Sequence, residues 1–353
     1  MSQVRIGDWN VGSGAPCFII AEIGINHNGS IEMALALIDA AASAGADAVK
    51  FQKRDVPIVY SAKDLQTPRA FDQCFIRNAM ERSVIEGVIR PVFPEKGQRE
   101  RLEELLEGKE VPTFNSDLKY ALEFGPKEWD LIRTRCEDRG VAWGVSAWDG
   151  VSVFEIDGFQ PDFHKVASAC LTHADLLRRM RCCNRPIILS TGGSTFEQVR
   201  SAIKVLGKED LVLLHCVATY PSTDDEGNLS VMESYRNEFH GIPVGYSGHE
   251  EDTLASRLAV SIGATVVERH ITLDRNLPGS DQKASIEPQQ FRRMVDEIRL
   301  IETMRGTQRS LSPEKWAKPG EMERISALMG LPEKKVLLRE IPVMEKLRRI
   351  RDY

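Results

Sequence analysis

Short apolar segments recur along the first 270 residues of the chain. There are eight of them, rich in β-branched and aliphatic side chains, and they cover residues 17–25, 46–52, 141–147, 162–169, 186–192, 211–217, 243–248 and 265–270. They are continuously apolar rather than alternating, which is typical of parallel strands buried on both faces. The pattern therefore predicts eight buried parallel strands.

Stretches with helical period separate most of these segments. Ser30 precedes one apolar repeat, another ends at Gly140, and Ser194 and Glu197 have capping-box spacing before a third. Eight strand–helix units predict a TIM (β/α)8 barrel over residues 1–305. A doubly wound sheet is the structural alternative. The even spacing and the absence of a Gly-rich dinucleotide fingerprint favour the closed barrel.

Two segments interrupt this rhythm. After the second strand, residues 53 to about 118 form an insertion in which PEKGQRERLEELLEG predicts a helix. Because βα loops cover the active face of a barrel, the insertion is predicted to form a lid or substrate wall, with a surface elaboration or oligomer contact as an equal alternative. The charged tail, residues 306–353, predicts a short helical C-terminal extension.

Composition excludes several classes of function. The net charge of −6 is spread along the chain, and the basic residues form no aromatic-laced patch, so nucleic acid is not an expected partner. No apolar run approaches the length of a membrane span, and the amino end does not resemble a signal peptide, so we expect a cytoplasmic protein with no membrane partner. The seven cysteines contain no CxxC pair and indicate reduced thiols. Cys216, beside His215, is interpreted as packing rather than as part of a catalytic dyad.

Polar side chains stand at the carboxyl ends of the predicted strands, where a barrel places its active site. They are Glu22, Asn26, His27, Lys50, Gln52, Ser146, Lys165, Ser168, Ser190, Thr191, His215, Tyr220, Ser247, His249, Glu268 and His270, followed by Asp281 and Lys283 in the last loop. Lysines among hydroxyls favour an anionic ligand, because Lys supplies charge while hydroxyls supply directional hydrogen bonds. The predicted ligand carries phosphate, carboxylate or both.

His249 and His270 follow the last two strands. A single imidazole at a strand end is more often a structural group than a ligand. Adjacent parallel strands, however, lie roughly 4.8 Å apart, so these two rings can share one cation. Two nitrogens without a thiolate suit Mn²⁺, Fe²⁺, Co²⁺ or Mg²⁺ better than a closed zinc site. The pair predicts a divalent-metal site.

A family resemblance is carried by motifs that occur in order. They are FIIAEIGINHNGSIEMALALIDAAASAGADAVKFQ, KVAS, PIILSTGGST, LLHC with the following YP, VGYSGH, VERHITLD and GSDQKAS. Together they cover roughly residues 15–300 apart from the insertion. In them the chain resembles the sialic acid (N-acetylneuraminate) synthase family, whose members condense phosphoenolpyruvate with an amino-sugar aldehyde.

The resemblance implies a role for each matching residue. It implies a divalent metal held by His249 and His270, with Mn²⁺ as the first expectation and Mg²⁺, Co²⁺ or Fe²⁺ as alternatives. A phosphoenolpyruvate site would use Lys50, Ser146, Lys165, Ser168, Ser190 and Ser247. The aldehyde would meet Glu22, Gln52, Tyr220 and Asp281. The residues expected to be catalytic are Glu22, His249, His270 and Asp281, and a homodimer is expected as well.

Several positions depart from the family pattern. Cys170 stands where an acidic residue is usual, Gly248 replaces the usual Asp before the metal-binding histidine, and Gln282 replaces a frequent His. Ala218 stands in place of a polar residue, and VSAWD replaces STPFD on the third strand. The tail, residues 306–353, does not resemble the antifreeze-like domain common in the family. We therefore expect a conventional barrel with an unusual acceptor pocket.

The favoured hypothesis is an aldol-type synthase that uses phosphoenolpyruvate and a sugar aldehyde and yields a 2-keto-3-deoxy acid and phosphate. One alternative is a metal-assisted aldolase or lyase acting on another keto acid. Another is a non-catalytic ligand-binding barrel in which the loss of acidic groups has abolished the chemistry.

Overall fold

The computed structural model describes residues 3–83 and 92–306, together with positions 324 and 327. The chain divides into two compact units, Met1–Arg305 and Gly306–Tyr353. The predicted helical extension lies almost wholly outside the described residues.

Eight parallel strands close into a barrel within the first unit. In chain order the strands of the molecule are β1 (Gln3–Ile6), β2 (Trp9–Gly12), β3 (Phe18–Gly24), β4 (Ala48–Lys53), β5 (Ala142–Ala147), β6 (Phe163–Val166), β7 (Ile187–Ser190), β8 (Leu211–Cys216), β9 (Val244–Gly248) and β10 (Val266–His270). Strands β3 to β10 lie in sequence order around the barrel, and β10 pairs with β3, with His270 opposite Glu22. The predicted TIM barrel is confirmed.

Helices alternate with the barrel strands. They are α1 (Ile31–Ser43), α2 (Val56–Val59), α3 (Ala62–Leu65), α4 (Cys74–Ser83), α5 (Gln98–Leu106), α6 (Asn115–Leu122), α7 (Pro126–Arg139), α8 (Gly150–Asp157), α9 (Ala174–Cys182), α10 (Phe196–Leu206), α11 (Val231–Glu238), α12 (Leu254–Ser261) and α13 (Pro288–Arg305). Ser30 caps α1 by accepting a hydrogen bond from the amide of Met33. The capping box of α10 uses Thr195 and Gln198, one residue later than predicted, because both pairs have the required spacing. None of the described helices is long and apolar enough to cross a bilayer.

Helices α2 to α6 follow β4 and build the predicted insertion. The helix expected near residues 94–108 is α5, and it begins after Gly97, whose φ of 76° lies in the left-handed region. Phe75, Ile76, Leu102 and Leu118 lie in a small apolar core of this region, separate from that of the barrel. The insertion is thus a packed helical layer with its own core.

A hairpin of β1 and β2, which the sequence analysis did not predict, precedes the barrel. Val4, Ile6 and Val11 are buried and pack with barrel residues that include Phe18 and Val266. The strands are four residues each; β1 alternates between exposed and buried positions, whereas in β2 only the last two residues are buried. Such short strands give little periodic signal, which explains why they were missed. The hairpin closes the amino-terminal end of the barrel.

The barrel interior is apolar at this amino-terminal end and polar at the other. The lower interior residues are Phe18, Ile20, Ala48, Ala142, Phe163, Ile188, Val212, Leu214 and Val266. Packing there is tight, since a Cβ at Gly144 would lie 2.4 Å from the ring of Phe163. Because inward-facing residues alternate along each strand, the next inward positions form a second layer at the carboxyl ends. That layer forms the floor of a cavity at the carboxyl ends of the strands.

Candidate active site

A cavity of about 500 Å³ opens at the carboxyl ends of the barrel strands. Its lining includes every residue for which the sequence analysis predicted a catalytic, substrate-binding or metal-binding role: Glu22, Lys50, Gln52, Ser146, Lys165, Ser168, Ser190, Tyr220, Ser247, His249, His270 and Asp281. The structure therefore brings the predicted residues together in one place. Their individual roles remain predictions.

Lys50 and Lys165 project into the same cavity from β4 and β6. Lys50 Nζ lies 2.7 Å from Glu22 Oε2 and donates a hydrogen bond of 3.0 Å to Ser146 Oγ. Both lysines approach one carboxylate oxygen, Glu268 Oε1, at 3.9 Å for Lys50 and 3.2 Å for Lys165. The two cations thus approach the same carboxylate oxygen.

Glu268 lies at the centre of this arrangement, although the sequence analysis assigned it no role. Ser247 Oγ donates to the same carboxylate oxygen at 3.2 Å. Burial alone would raise the pKa of Glu268, but the charges of Lys165 and Lys50 outweigh that effect and hold the pKa below its usual value. Glu268 is therefore a carboxylate at neutral pH. Its position two residues before His270 on β10 was the available signal, since side chains at i and i+2 face the same way.

The two lysines differ in how well their charge is compensated. For Lys50 the pKa is raised, because the carboxylates of Glu22 and Glu268 outweigh the lowering effect of burial. For Lys165 the pKa is lowered by burial, which the nearby Glu268 offsets only in part. An anionic ligand placed beside Lys165 would supply the missing counter-charge.

The two imidazoles that were predicted to share a cation are adjacent. The ring centroids of His249 and His270 are 5.5 Å apart. His249 Nδ1 bonds the carbonyl of Val217 at 2.6 Å, which makes Nδ1 the protonated nitrogen and leaves Nε2 with its lone pair. Burial, with a smaller contribution from His270, lowers the pKa of His249 to about 3. A neutral imidazole with a fixed tautomer is the form that binds metal ions.

The donor set around His270 also fits a divalent cation. His270 Nδ1 is buried without a hydrogen-bond partner, and it lies 4.0 Å from Asp281 Oδ2. The ring of Tyr220 covers the pair, with its centroid 4.0 Å from that of His249. By chemical type, imidazole nitrogens and a carboxylate oxygen suit the ions predicted from the sequence, although the donor atoms of His249, His270 and Asp281 do not all lie within 4.8 Å of one another.

The outer wall of the cavity comes partly from the insertion. Tyr60, which follows α2, and Lys119 of α6 line it, and Lys119 Nζ lies 4.7 Å from the centroid of the Tyr60 ring. Arg54 lies opposite Trp148 in the same way, 4.5 Å from its ring. Of the two interpretations of the insertion, these contacts favour the substrate wall.

Other polar residues at strand ends serve the fold. Asn26 donates to the carbonyl of Ile271 at 2.9 Å, and His27 stacks on Phe124 with ring centroids 4.2 Å apart. His215 Nε2 bonds the carbonyl of Gly227 at 2.8 Å. Thr191 and Lys283 are likewise not among the residues that line the cavity. These side chains bond backbone atoms of loops or lie outside the cavity lining. Spacing along the chain does not distinguish them from the residues that line the cavity.

Cys170 is one of the departures from the family pattern. Cys170 is buried, and burial raises the pKa of its thiol to about 11, so it is neutral and does not replace a carboxylate.

Cys216 lines the cavity, and its Sγ lies 3.1 Å from Ser168 Oγ, whereas the ring of His215 bonds the carbonyl of Gly227. The expectation that Cys216 and His215 form no dyad therefore agrees with the geometry.

A second group of potential metal ligands lies away from the cavity lining. Donor atoms of Asp157, His164 and Cys183 fall within 4.8 Å of one another. Asp157, however, already forms an ion pair with Arg185 and a 3.4 Å contact with His164 Nε2. The Arg185 guanidinium therefore already neutralises the Asp157 carboxylate that a metal ion would need as a ligand.

Comparison with known proteins identifies the family. The model of the NeuB family matches residues 100–310. The spore coat polysaccharide biosynthesis protein SpsE of Bacillus subtilis is 34% identical over 307 residues, which are 86% of this chain and 72% of that protein. The chain belongs to the NeuB family.

Other NeuB relatives agree with the predicted class of enzyme. The N-acetylneuraminate-9-phosphate synthase of Homo sapiens is 31% identical over 341 residues, covering 94% of this chain and 83% of that protein. The crystal structure of the N-acetylneuraminic acid synthetase of Leptospira borgpetersenii superposes with a TM-score of 0.70 at 27% identity, covering 92% of this chain and 96% of that one. The predicted resemblance and the classification as a sialic acid synthase-like transferase are confirmed.

Proposed function

We propose that this NeuB-family chain condenses phosphoenolpyruvate with an aldose or amino-sugar aldehyde and releases a 2-keto-3-deoxy acid and phosphate. The observation that carries the proposal is the convergence of Lys50 and Lys165 on one buried carboxylate, Glu268, beside the pair His249 and His270. That arrangement offers an anion site and an electrophile site within one cavity.

Phosphoenolpyruvate matches the anion site because it carries both a phosphate and a carboxylate. Lys165 is the cation with less compensation, so we assign it to the ligand's charge, with Ser168 and Ser190 as hydrogen-bond donors. Ser247 would join them if its hydroxyl turned from Glu268 to the ligand. Ser190 Oγ is buried without a partner and is available for this purpose. Lys50 is held by Glu22 and Ser146 and would take the second anionic group.

The reaction needs no covalent enzyme intermediate. The enol carbon attacks the aldehyde carbon, and the aldehyde oxygen takes a proton to become a hydroxyl. Water then adds to the carbon that bears the phosphate group. The bond between that carbon and the phosphate ester oxygen breaks, which releases phosphate and leaves a keto group. Glu22, which accepts a hydrogen bond of 3.0 Å from Gln52, and Asp281 would orient the aldehyde and move these protons.

His249 and His270 would hold the divalent metal. When bound, that ion supplies a Lewis acid for the aldehyde oxygen. The bond from His249 to Val217 and the cover provided by Tyr220 keep the imidazoles in place and shield them from water. The choice of Mn²⁺ stays a prediction, as does the homodimer.

The acceptor aldehyde would extend toward the wall formed by Tyr60, Lys119, Arg54 and Trp148. Lys119 is half-buried, and within residues 3–83 and 92–306 no carboxylate lies within 4.0 Å of its Nζ. Such a cation favours an acceptor with a hydroxyl-rich or anionic far end. The names of the relatives differ on this point, since the human protein is named for a phosphorylated product.

Phosphate release tests the reaction directly. Purified protein with Mn²⁺ and phosphoenolpyruvate is offered aldoses and N-acylated amino sugars, each with and without a terminal phosphate. We expect phosphate only when all three components are present. Keto-acid cleavage without phosphate release would instead identify an aldolase or lyase. Phosphoenolpyruvate binding without turnover of any acceptor would identify a binding barrel.

A matched variant separates the two substrates. Lys165→Met removes the cation while keeping the length of the side chain, so the KM for phosphoenolpyruvate should rise roughly 100-fold, the size expected for a buried charge-assisted contact. The KM for the acceptor should change by less than about threefold. In Lys119→Met the KM for the acceptor should rise, while the KM for phosphoenolpyruvate should stay nearly unchanged. Equal effects of both variants on both KM values would contradict the assignment.

A further inference from the structure

Arg269 is a fully buried cation beside the candidate metal site. It lies on β10 between Glu268 and His270, but on the outer side of the barrel, and its side chain is 0% exposed. In the pairing of β9 with β10 it lies opposite Gly248. A guanidinium buried in this way is tolerated only with a nearby anion and satisfied hydrogen bonds.

Glu250 supplies that anion. Its Oε1 accepts from Arg269 Nη1, and its backbone carbonyl accepts from Nη2. The hydroxyl of Tyr246 donates to Glu250 Oε2 at 3.1 Å, and Arg269 Nη1 also donates to the carbonyl of Asp252 at 2.6 Å. Within the described residues, Glu250 is the only carboxylate within 4.0 Å of the Arg269 guanidinium. Arg269 is therefore bonded to both the side chain and the backbone of Glu250.

Gly248 and Glu250 compete for the same space. A Cβ at position 248 would lie 2.7 Å from both carboxylate oxygens of Glu250 and 3.0 Å from Arg269 Cδ. The next atom of that side chain, Arg269 Nε, is buried and has no hydrogen-bond partner. An acid at 248 would reach this nitrogen, but only if the Glu250 carboxylate were absent.

We infer that Glu250 carries the charge that the family pattern places at 248, and that its bonds to Arg269 position His249. His249 lies between the two positions, so fixing the carbonyl and the carboxylate of Glu250 fixes the backbone of the adjacent residue. Glu250 does not line the cavity and acts through His249 as a positioning residue. The positioning part rests on the proposed metal role of His249.

Moving the acid back tests the inference. Glu250→Thr removes the charge, and the double variant Gly248→Asp/Glu250→Thr restores it two residues earlier. We expect Glu250→Thr to weaken Mn²⁺ binding by the 10- to 100-fold typical of residues that orient a metal ligand, measured by electron paramagnetic resonance on the purified full chain. The double variant should recover affinity to within about threefold of wild type, and its Tm should exceed that of the single variant. Glu251→Gln, at the exposed neighbouring position, should match wild type.

The results with these variants test the two parts of the inference separately. Wild-type Mn²⁺ affinity in a folded Glu250→Thr protein would overturn the positioning role, and a double variant no better than the single one would overturn the exchange of positions. If Glu250→Thr fails to fold, Glu250→Gln keeps the shape and hydrogen bonds without the charge, and recovery in the double variant remains the criterion. A wild-type protein that binds no Mn²⁺ would contradict the metal site and the positioning role, while the Tm of the three variants would still decide whether the charge can move.

Discussion

The two ends of the barrel interior are built from the same strands and differ in almost every physical property. At the amino-terminal end, Phe18 and Phe163 pack against the β1–β2 hairpin. Lys165 lies one inward step, about 7 Å, beyond Phe163, and Glu22 lies two inward steps beyond Phe18, past Ile20. Side chains at both ends are buried, but those at one end are apolar and those at the other are charged. The fold thus separates the apolar part of the core that stabilises it from the charged part that forms the candidate site.

This separation has an energetic reason. Burying an apolar side chain is favourable, whereas burying a charge costs free energy that its ion pair recovers only in part. At the upper end, Glu22, Lys50, Lys165 and Glu268 compensate one another without adding much stability. We therefore expect substitutions at the two ends to have opposite effects on function and stability.

The largest expected effect is functional. His270→Ala removes one of two imidazoles from the candidate metal site, and activity should fall by at least about 10³-fold together with the loss of Mn²⁺ binding. The Tm should change little, because the side chain makes no hydrogen bond within the described residues through Nδ1. Phosphate release and Mn²⁺ titration on the same sample measure both. Residual Mn²⁺-dependent activity near the wild-type rate would show that the ion binds elsewhere.

Phe163→Ala tests the other end. The ring fills the space above Gly144, and its loss should lower the free energy of unfolding by about 3–5 kcal/mol, measured by urea denaturation. The phosphoenolpyruvate KM of the remaining folded protein should stay within about threefold of wild type. Phe163→Leu is the matched control and should lose less stability. A variant that stays stable but loses phosphoenolpyruvate binding would break the separation between the two ends.

The smallest effect concerns a polar residue of the upper end that serves the fold. Burial and the charge of Arg82 lower the pKa of His27 from 6.5 to about 3. Below pH 6.5 His27 is therefore protonated in the unfolded chain but stays neutral in the folded protein. The free energy of unfolding falls as the pH falls from 6.5 toward 3, by up to about 1.4 kcal/mol per pH unit.

His27→Gln should remove this contribution. Between pH 6.5 and 5 the variant should lose about 2 kcal/mol less stability than the wild type, as measured by urea denaturation at each pH. Exposed His240→Gln is the control and should retain the wild-type slope. An unchanged slope in His27→Gln would mean that this imidazole does not stay neutral in the folded protein.

Much of the site was predictable because the signals are local. The eight continuous apolar segments required buried parallel strands, and polar residues at their ends marked the active face. For Lys50, Lys165, His249 and His270, a position along a strand was enough to place each side chain in the cavity. The order of motifs added the family and, through it, the expected roles.

The amino-acid sequence by itself determined the barrel, the active end and the family, since these depend on periodicity and on motifs a few residues long. Only the tertiary structure decided which polar groups meet. Glu268 joins two lysines that are 115 positions apart in the chain, His27 turns to Phe124 instead of the cavity, and Glu250 occupies the space that Gly248 leaves open. Such encounters depend on how the strands are staggered when the barrel closes, a long-range property that no local pattern encodes.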